Sequence, residues 1–133
     1  MPDVSPSPSS WLVACLCAGW CRTCDDYQGV MTDAQRQHPG VRFAWVDIED
    51  HADDLDDTDG AAEDIDNFPT LLLVRDGKPH FFGTVLPHAA VLQRLLAQAQ
   101  SGELPAKTDA TALRLAHAVS RLVASRPQAV RLP

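Results

Sequence analysis

Apolar residues along this chain occur in two patterns, short continuous runs and stripes with helical spacing, and the two patterns alternate. A short apolar run bounded by turn residues predicts a buried strand, whereas apolar residues three or four apart predict the inner face of a helix. The predicted order of elements is β-α-β-α-β-β-α, followed by one further helix. The predicted strands are 11–17, 41–47, 70–75 and 79–84, and the predicted helices are 21–37, 52–65, one with Pro87 at its first position, and about 109–125.

The order of these elements predicts an α/β fold with a central mixed sheet flanked by helices. The first three elements form a β-α-β unit, whose two strands should be parallel with a right-handed crossover. Asp76-Gly77 is a hairpin turn signal, so the strands 70–75 and 79–84 add an antiparallel edge. Residues 1–10 are rich in Pro and Ser and are predicted to be disordered. Residues 11–100 form the predicted domain, and 101–133 form a C-terminal helical extension.

Composition narrows the classes of function. The chain has 133 residues, of which 45% are hydrophobic, and this is enough for one domain with a core. A net charge of −7 argues against a nucleic-acid surface. No apolar run reaches the length of about 20 residues that spans a bilayer. Residues 1–10 contain no Lys or Arg and no apolar segment of a signal peptide, so we predict a cytoplasmic protein.

Acidic residues cluster in the segment 47–66, which holds eleven of the eighteen in the chain. Carboxylates are favourable near a helix N-terminus, and a run of like charges is usually solvated. We therefore interpret this acidic segment as a solvated helix rather than a metal-binding loop.

Two of the four cysteines stand in the motif Trp20-Cys21-Arg22-Thr23-Cys24, directly after the first predicted strand and at the start of the first helix. Cysteines three residues apart lie one helical turn from each other, so one thiolate can attack a disulfide and the other can resolve the mixed disulfide. The helix dipole favours a thiolate at Cys21 by about 0.3–1 kcal/mol. We expect hydrogen bonds from first-turn amides and from Cys24 to add to this. The motif predicts thiol–disulfide exchange.

Together with Asn67-Phe68-Pro69-Thr70 and the strand, turn and strand that follow it, this motif resembles the thioredoxin family over roughly residues 11–100. The resemblance implies that Cys21 is the nucleophile, that Cys24 is the buried resolving thiol, and that the Cys21–Cys24 disulfide is the redox-active group. It also implies a cis peptide bond before Pro69 and a surface that binds the substrate chain. The residues implied for that surface are Trp20, Phe68, Pro69 and Thr70.

The resemblance implies protein disulfides as substrates and a thiol reductase or a small thiol as electron donor. It implies no organic cofactor and no metal, and neither a nucleic acid nor a membrane is expected as a partner. In the cytoplasm stable disulfides are rare, and a Cys-x-x-Cys pair is usually catalytic or metal-binding.

Several positions depart from the thioredoxin pattern. Arg22-Thr23 replaces the Gly-Pro pair between the cysteines, and this pair tunes the redox potential in the family. Cys15 occupies the position of a buried Asp that helps to deprotonate the resolving thiol. Phe43 takes the place of a Lys if Asp47 aligns with the Asp that ends the next strand. These departures predict a specialised, slower or more oxidising protein. A second interpretation is a binding or adaptor module that kept the fold and lost turnover.

Cys15 and Cys17 should point to the same face of the first strand. We interpret them as small buried hydrophobic residues. Cys17 is closer to the active-site loop than Cys15 is. A further interpretation is that Cys17 forms a regulatory disulfide. All four cysteines could instead bind a metal or cluster. Strand geometry opposes this interpretation, because Cys15 should lie too deep to converge with Cys21. The last helix either covers apolar surface left bare by the missing first strand and helix of a full thioredoxin or binds a partner.

Overall fold

The computed structural model describes residues 11–19, 21–53, 55, 65 and 67–132. Within this part of the chain there are four strands, three α-helices and one short 3-10 helix. The strands are β1 (Trp11–Cys17), β2 (Arg42–Asp47), β3 (Thr70–Arg75) and β4 (Lys78–Thr84). The α-helices are α1 (Arg22–Gln37), α2 (Ala89–Gln100) and α3 (Ala110–Ser125), and the 3-10 helix is Pro127–Val130.

The predicted α/β fold class is confirmed, and the strand limits lie within one residue of those expected from the apolar runs. The start of α2 was predicted wrongly. His88 is its N-cap, so Pro87 precedes the helix instead of beginning it. The predicted disordered segment 1–10 and most of the predicted helix 52–65 lie outside the described residues.

The strands form one mixed sheet in the order β2-β1-β3-β4. β1 and β2 are parallel, as the β-α-β unit predicts, and β3 runs antiparallel to both β1 and β4. The β3–β4 turn places Asp76 at φ 52° and Gly77 at φ 81°. Two successive residues with positive φ match the right-handed twist of a tight hairpin, which explains the Asp-Gly pair.

Every residue of β1 is buried, because helices cover both faces of the sheet. Side chains alternate between the faces of a strand, so the seven residues divide into two sets. Leu12, Ala14 and Leu16 join the core cluster that also contains α3. Cys15 and Cys17 join the cluster that contains the buried faces of α1 and α2. The two cysteines therefore lie on the same face of the sheet, as predicted.

Helix α3 packs on the sheet rather than standing apart from it. Its N-cap is Asp109, whose carboxylate accepts a hydrogen bond from the amide of Ala112 at 3.2 Å. The apolar stripe predicted from the sequence is buried against β1, β2 and β3. Of the two roles considered for this helix, covering apolar sheet surface is the one observed.

The segment that leads to α3 follows strand β4. The amide of Lys107 donates to the carbonyl of Pro79 at 2.7 Å. The Nδ1 atom of His80 donates to the carbonyl of Leu104, also at 2.7 Å. The ring of His80 in turn makes an edge contact with Trp11, at 5.0 Å between centroids. These contacts hold residues 104–107 against the edge strand.

None of the helices in the described ranges combines the length and apolarity that a membrane crossing requires.

We predict that Leu115→Ala lowers the free energy of unfolding by about 2–5 kcal/mol, because it leaves a cavity between α3 and the sheet. Leu115 is fully buried, whereas Leu113 on the same helix is 44% exposed. Leu113→Ala should therefore change stability by no more than about 0.5 kcal/mol. Urea unfolding followed by Trp fluorescence measures both. Equal effects of the two substitutions would contradict the packing of α3.

Candidate redox site

The cysteine motif lies where β1 ends and α1 begins. Cys21 is the N-cap of α1, with φ −85° and ψ 114°, and its amide donates to the carbonyl of Ala18 at 3.0 Å. Gly19 lies in this loop, close to the carboxylate of Asp47 at the end of β2. A β carbon on Gly19 would lie 3.0 Å from that carboxylate, so this close approach favours glycine.

The disulfide of this site joins Cys17 to Cys24. The predicted pairing of Cys21 with Cys24 is not the one present, and the thiol of Cys21 is free. The physical reason is the direction of the side chains. Cys17 is the last residue of β1 and faces α1, whereas Cys24 begins the buried stripe of that helix. Their Cα atoms are 6.0 Å apart, within the usual range for a disulfide.

Cys21 is half-buried and sits at the edge of the cluster that contains the disulfide. Its side chain makes no capping hydrogen bond to the described first turn of α1. Cys24 has no S–H to donate while it is bonded to Cys17. The two hydrogen-bond contributions expected from the sequence are therefore missing from this form of the site. The feature expected from the sequence that is present is the position of Cys21 at the N-terminus of α1.

Cys15 is completely buried behind the disulfide. Its Sγ lies 3.3 Å from the Sγ of Cys17. Burial raises the pKa of the Cys15 thiol, and the nearby Cys21 raises it further. Cys15 therefore stays protonated and cannot replace the buried carboxylate expected at this position as a base.

Tyr27 lies on the same buried stripe of α1 as Cys24. Among the described residues its hydroxyl has no hydrogen-bond partner. Burial raises the pKa of this phenol, and the nearby Cys15 adds to the effect. Among the described residues, the buried cluster around the disulfide thus includes two neutral, weakly polar groups, the thiol of Cys15 and the phenol of Tyr27.

The loop before β3 lies beside the disulfide. The Phe68–Pro69 peptide bond is cis, as the resemblance implies. Thr70 pairs with Leu16 in the antiparallel register, so Pro69 and Cys17 are the next residues along the two strands. The hydroxyl of Thr70 donates to the carbonyl of Asn67 at 2.7 Å, and the amide of Val85 donates to the carbonyl of Pro69 at 3.1 Å. These bonds fix the loop against the end of β1.

The other predicted site residues have different surroundings. Phe68 is half-buried and packs on the same cluster as Cys21. Arg22 is exposed and Thr23 is half-buried, so both are accessible on the first turn of α1. Trp20 lies outside the described residues.

Phe43 packs on the cluster of the cysteines, which places an apolar ring rather than a cation near them. In the described residues no group of three or more metal-ligating side chains converges.

The arrangement of strands and helices is similar to that of solved thioredoxins. Thioredoxin f2 of Chlamydomonas reinhardtii matches with a TM-score of 0.58 and 22% identity, over 69% of this chain and 81% of that one. The chain has the thioredoxin fold. A thioredoxin of Fasciola hepatica gives a TM-score of 0.57 and 20% identity, over 68% of this chain and 81% of that one.

A third thioredoxin-fold match comes from a structure describing the thiol resolving mechanism in yeast mitochondrial 1-Cys peroxiredoxin via glutathione/thioredoxin systems. Its TM-score is 0.56 at 21% identity, over 68% of this chain and 79% of that one. No model of a protein family matches the sequence, and no curated protein does.

The motif alone does not reveal that Cys17 is the disulfide partner of Cys24. The signal for it was present in the sequence. Alternation along β1 predicts that Cys17 faces the helix, and the apolar stripe of α1 predicts that Cys24 faces the strand. Taken together, these two periodicities point the sulfur atoms at each other.

We predict that the phenol of Tyr27 stays protonated in the folded protein at pH values where free tyrosine ionises. Tyr27 is the only tyrosine of the chain, so absorbance at 295 nm reports it alone. In denaturant the phenol should titrate near its ordinary pKa of about 10. In the folded protein its pKa is raised by burial, so the stability of the fold declines as the pH rises above about 10. A native titration that coincides with the denatured one would contradict the burial of this ring.

Proposed function

We propose that this protein is a thiol–disulfide oxidoreductase that exchanges disulfides with protein substrates and uses Cys21 as its attacking thiol. The observation that carries the proposal is the pairing of a half-exposed free thiol at a helix N-terminus with a disulfide in the same site. The thiolate is the attacking species in thiol–disulfide exchange, and it needs both access and a favourable field. Of the two free cysteines, Cys21 is half-exposed at the N-terminus of α1, whereas Cys15 is buried and burial raises its pKa.

In the proposed reaction, the thiolate of Cys21 attacks one sulfur of a substrate disulfide, and the other substrate sulfur leaves as a thiolate. The resulting mixed disulfide is then attacked by Cys24. A Cys21–Cys24 bond forms, the bond between Cys21 and the substrate breaks, and the second substrate sulfur leaves as a thiol. The substrate gains two electrons and the cysteine pair loses two. The sulfur atoms carry the electrons themselves, so no organic cofactor is needed.

We propose that the substrate chain binds across the loop of Phe68, Pro69 and Thr70, and that Trp20 contributes to the same binding surface. Three observations support this role for the loop. It adjoins the end of β1 in the sheet register, its backbone is fixed by hydrogen bonds, and Phe68 packs on the cluster of Cys21. A peptide laid against a fixed loop keeps its disulfide next to the attacking sulfur.

Proteins are the substrate class we propose, and a thiol reductase or a small thiol is the proposed electron donor. The matching yeast structure concerns the thiol resolving mechanism of a 1-Cys peroxiredoxin via glutathione/thioredoxin systems. It therefore combines a protein as the thiol to be resolved with thiol-based systems that resolve it, and this supports both proposals. We further propose that Arg22 and Thr23 adjust the redox potential, because both are accessible in the turn between the cysteines. The proposed compartment is the cytoplasm.

A binding or adaptor module is the second candidate. One observation favours it, because the disulfide with Cys17 withdraws Cys24 from the resolving role. The two candidates differ in a pull-down from cell extract. Capture of the same partners by wild type and by a Cys21→Ser, Cys24→Ser double variant favours the adaptor. Capture that is lost with Cys21 and released by reductant favours the oxidoreductase.

We predict that Cys21→Ser abolishes the reduction of insulin disulfides above the rate of dithiothreitol alone, since no other accessible thiolate can begin the exchange. Turbidity of the reduced insulin chain measures the rate. Leu113→Ala is the control, because Leu113 is exposed on α3, on the opposite side of the sheet from the cysteines. It should retain the wild-type rate. Full activity of Cys21→Ser would exclude the proposed nucleophile.

A further inference from the structure

The disulfide in this site shares one side-chain cluster with the two free thiols of the chain. Cys17 and Cys24, which form it, are each 1% exposed. Cys15 lies behind it, with its sulfur 3.3 Å from that of Cys17. Cys21 is half-exposed and packs at the edge of the same cluster. All four cysteines of the chain therefore contribute to one cluster of side chains, and Cys21 is the most exposed of them.

A buried disulfide is hard to reach for a thiol from solution. Attack must proceed along the line of the sulfur–sulfur bond, so the attacking sulfur needs direct access to one end of it. Cys21 can obtain that access from inside the fold, because residues three apart on a helix are neighbours on its surface. The backbone already closes this turn, since the amide of Asp25 donates to the carbonyl of Cys21 at 3.3 Å.

We propose that Cys17 is a third redox cysteine, and that Cys24 exchanges its disulfide partner between Cys17 and Cys21. This inference deepens the proposed function, on which it rests, by adding a regulatory step to the same site. With Cys24 bonded to Cys21, the motif is the oxidised form of a two-cysteine oxidoreductase. With Cys24 bonded to Cys17, the protein presents Cys21 as a single free thiol.

The exchange balances without any outside oxidant or reductant. The thiolate of Cys21 attacks the Sγ of Cys24, the Cys21–Cys24 bond forms, and the Cys17–Cys24 bond breaks. The electron pair leaves on the Sγ of Cys17, which takes up one proton in place of the one that Cys21 released. The reverse step begins with a Cys17 thiolate. A protein disulfide reduced by Cys21 and Cys24 supplies the oxidising equivalents that the exchange then passes to Cys17.

Cys15 assists this exchange by donating a hydrogen bond to the sulfur of Cys17. Burial keeps its sulfur protonated, and it is 3.3 Å from the sulfur that leaves. A protonated thiol at this distance can donate its S–H to the Cys17 thiolate as that charge develops. Charge on a buried sulfur is costly unless it is hydrogen-bonded, so this donor lowers the barrier to opening the disulfide.

The bonding state of Cys24 determines whether a mixed disulfide between Cys21 and a substrate is resolved. While Cys24 is free, it resolves a substrate bonded to Cys21 and releases it. While Cys24 is held by Cys17, Cys21 can still attack a substrate disulfide and expel one of its sulfur atoms as a thiolate. The other half then stays bonded to Cys21, because no resolving thiol is free beside it. The same site thus reduces its substrate in one form and retains it in the other.

Peptide mapping tests which sulfur atoms are joined. Chymotrypsin cleaves after Trp20 and trypsin cleaves after Arg22, so together they place Cys17, Cys21 and Cys24 on three different peptides. Wild type, Cys17→Ser and Cys21→Ser are refolded from reduced protein in a glutathione redox buffer. An acid quench stops exchange, N-ethylmaleimide blocks the free thiols, and mass spectrometry identifies the linked peptides. Insulin reduction is measured on unquenched, unblocked portions of the same refolded proteins.

We expect both linkages in wild type, only Cys17–Cys24 in Cys21→Ser and only Cys21–Cys24 in Cys17→Ser. Cys17→Ser should also reduce insulin about twofold faster than wild type if the two disulfides are equally populated, because Cys24 is no longer diverted. If Cys17 remains a thiol in wild type and in Cys21→Ser while Cys17→Ser reduces insulin, this inference is overturned and the proposed function stands. If Cys17–Cys24 forms but neither wild type nor Cys17→Ser reduces insulin, the proposed function fails, and the bond is only structural.

A rate measurement tests the role of Cys21 in opening the buried bond. Without Cys21, dithiothreitol can reach the buried Cys17–Cys24 bond only when the fold around it opens locally. If this local opening costs about 1.4 kcal/mol or more, the bond should be reduced at least about tenfold more slowly in Cys21→Ser than in wild type. Leu113→Ala is the control, because Leu113 is exposed on α3, on the opposite side of the sheet from the cysteines. It should open at the wild-type rate. Equal rates in wild type and Cys21→Ser would overturn the internal exchange.

Discussion

Strand β1 is enclosed by helices on both faces, and this burial determines the arrangement of everything around it. A strand with two covered faces needs an apolar side chain at each position, and its seven residues meet that need. One set of side chains holds α3, and the alternate set holds α1 and α2. Because the second set ends in Cys15 and Cys17, the packing of the core also delivers two sulfur atoms to the base of the redox site.

The site is therefore an extension of the core, and its chemistry depends on depth. Cys21 is half-exposed, the two disulfide cysteines are each 1% exposed, and Cys15 and Tyr27 are completely buried. Burial disfavours the charged form of a thiol or a phenol, so negative charge is favoured only toward the outer end of this series. In the proposed function, attack on a substrate begins at that end.

The sequence was most informative where a periodic pattern met a turn signal. The apolar run of β1, the stripe of α3 and the Asp76-Gly77 hairpin predicted their elements closely, because burial leaves few alternatives for such patterns. The start of α2 could not be placed as well, since Pro87 is compatible with positions both before and within a first helical turn. The disulfide partner of Cys24 was missed for a different reason. A motif describes neighbours along the chain, whereas the bond to Cys17 depends on how a strand and a helix face each other.

Strand β4 is an edge of the sheet, and the contacts of residues 104–107 affect how that edge meets other molecules. An edge strand presents unpaired backbone groups that can template pairing with another chain. Here Pro79 lacks an amide hydrogen, and its carbonyl is already occupied by Lys107. The connection between α2 and α3 thus protects the edge from adding a foreign strand. Shortening it would remove that protection and favour aggregation even if both helices still packed correctly.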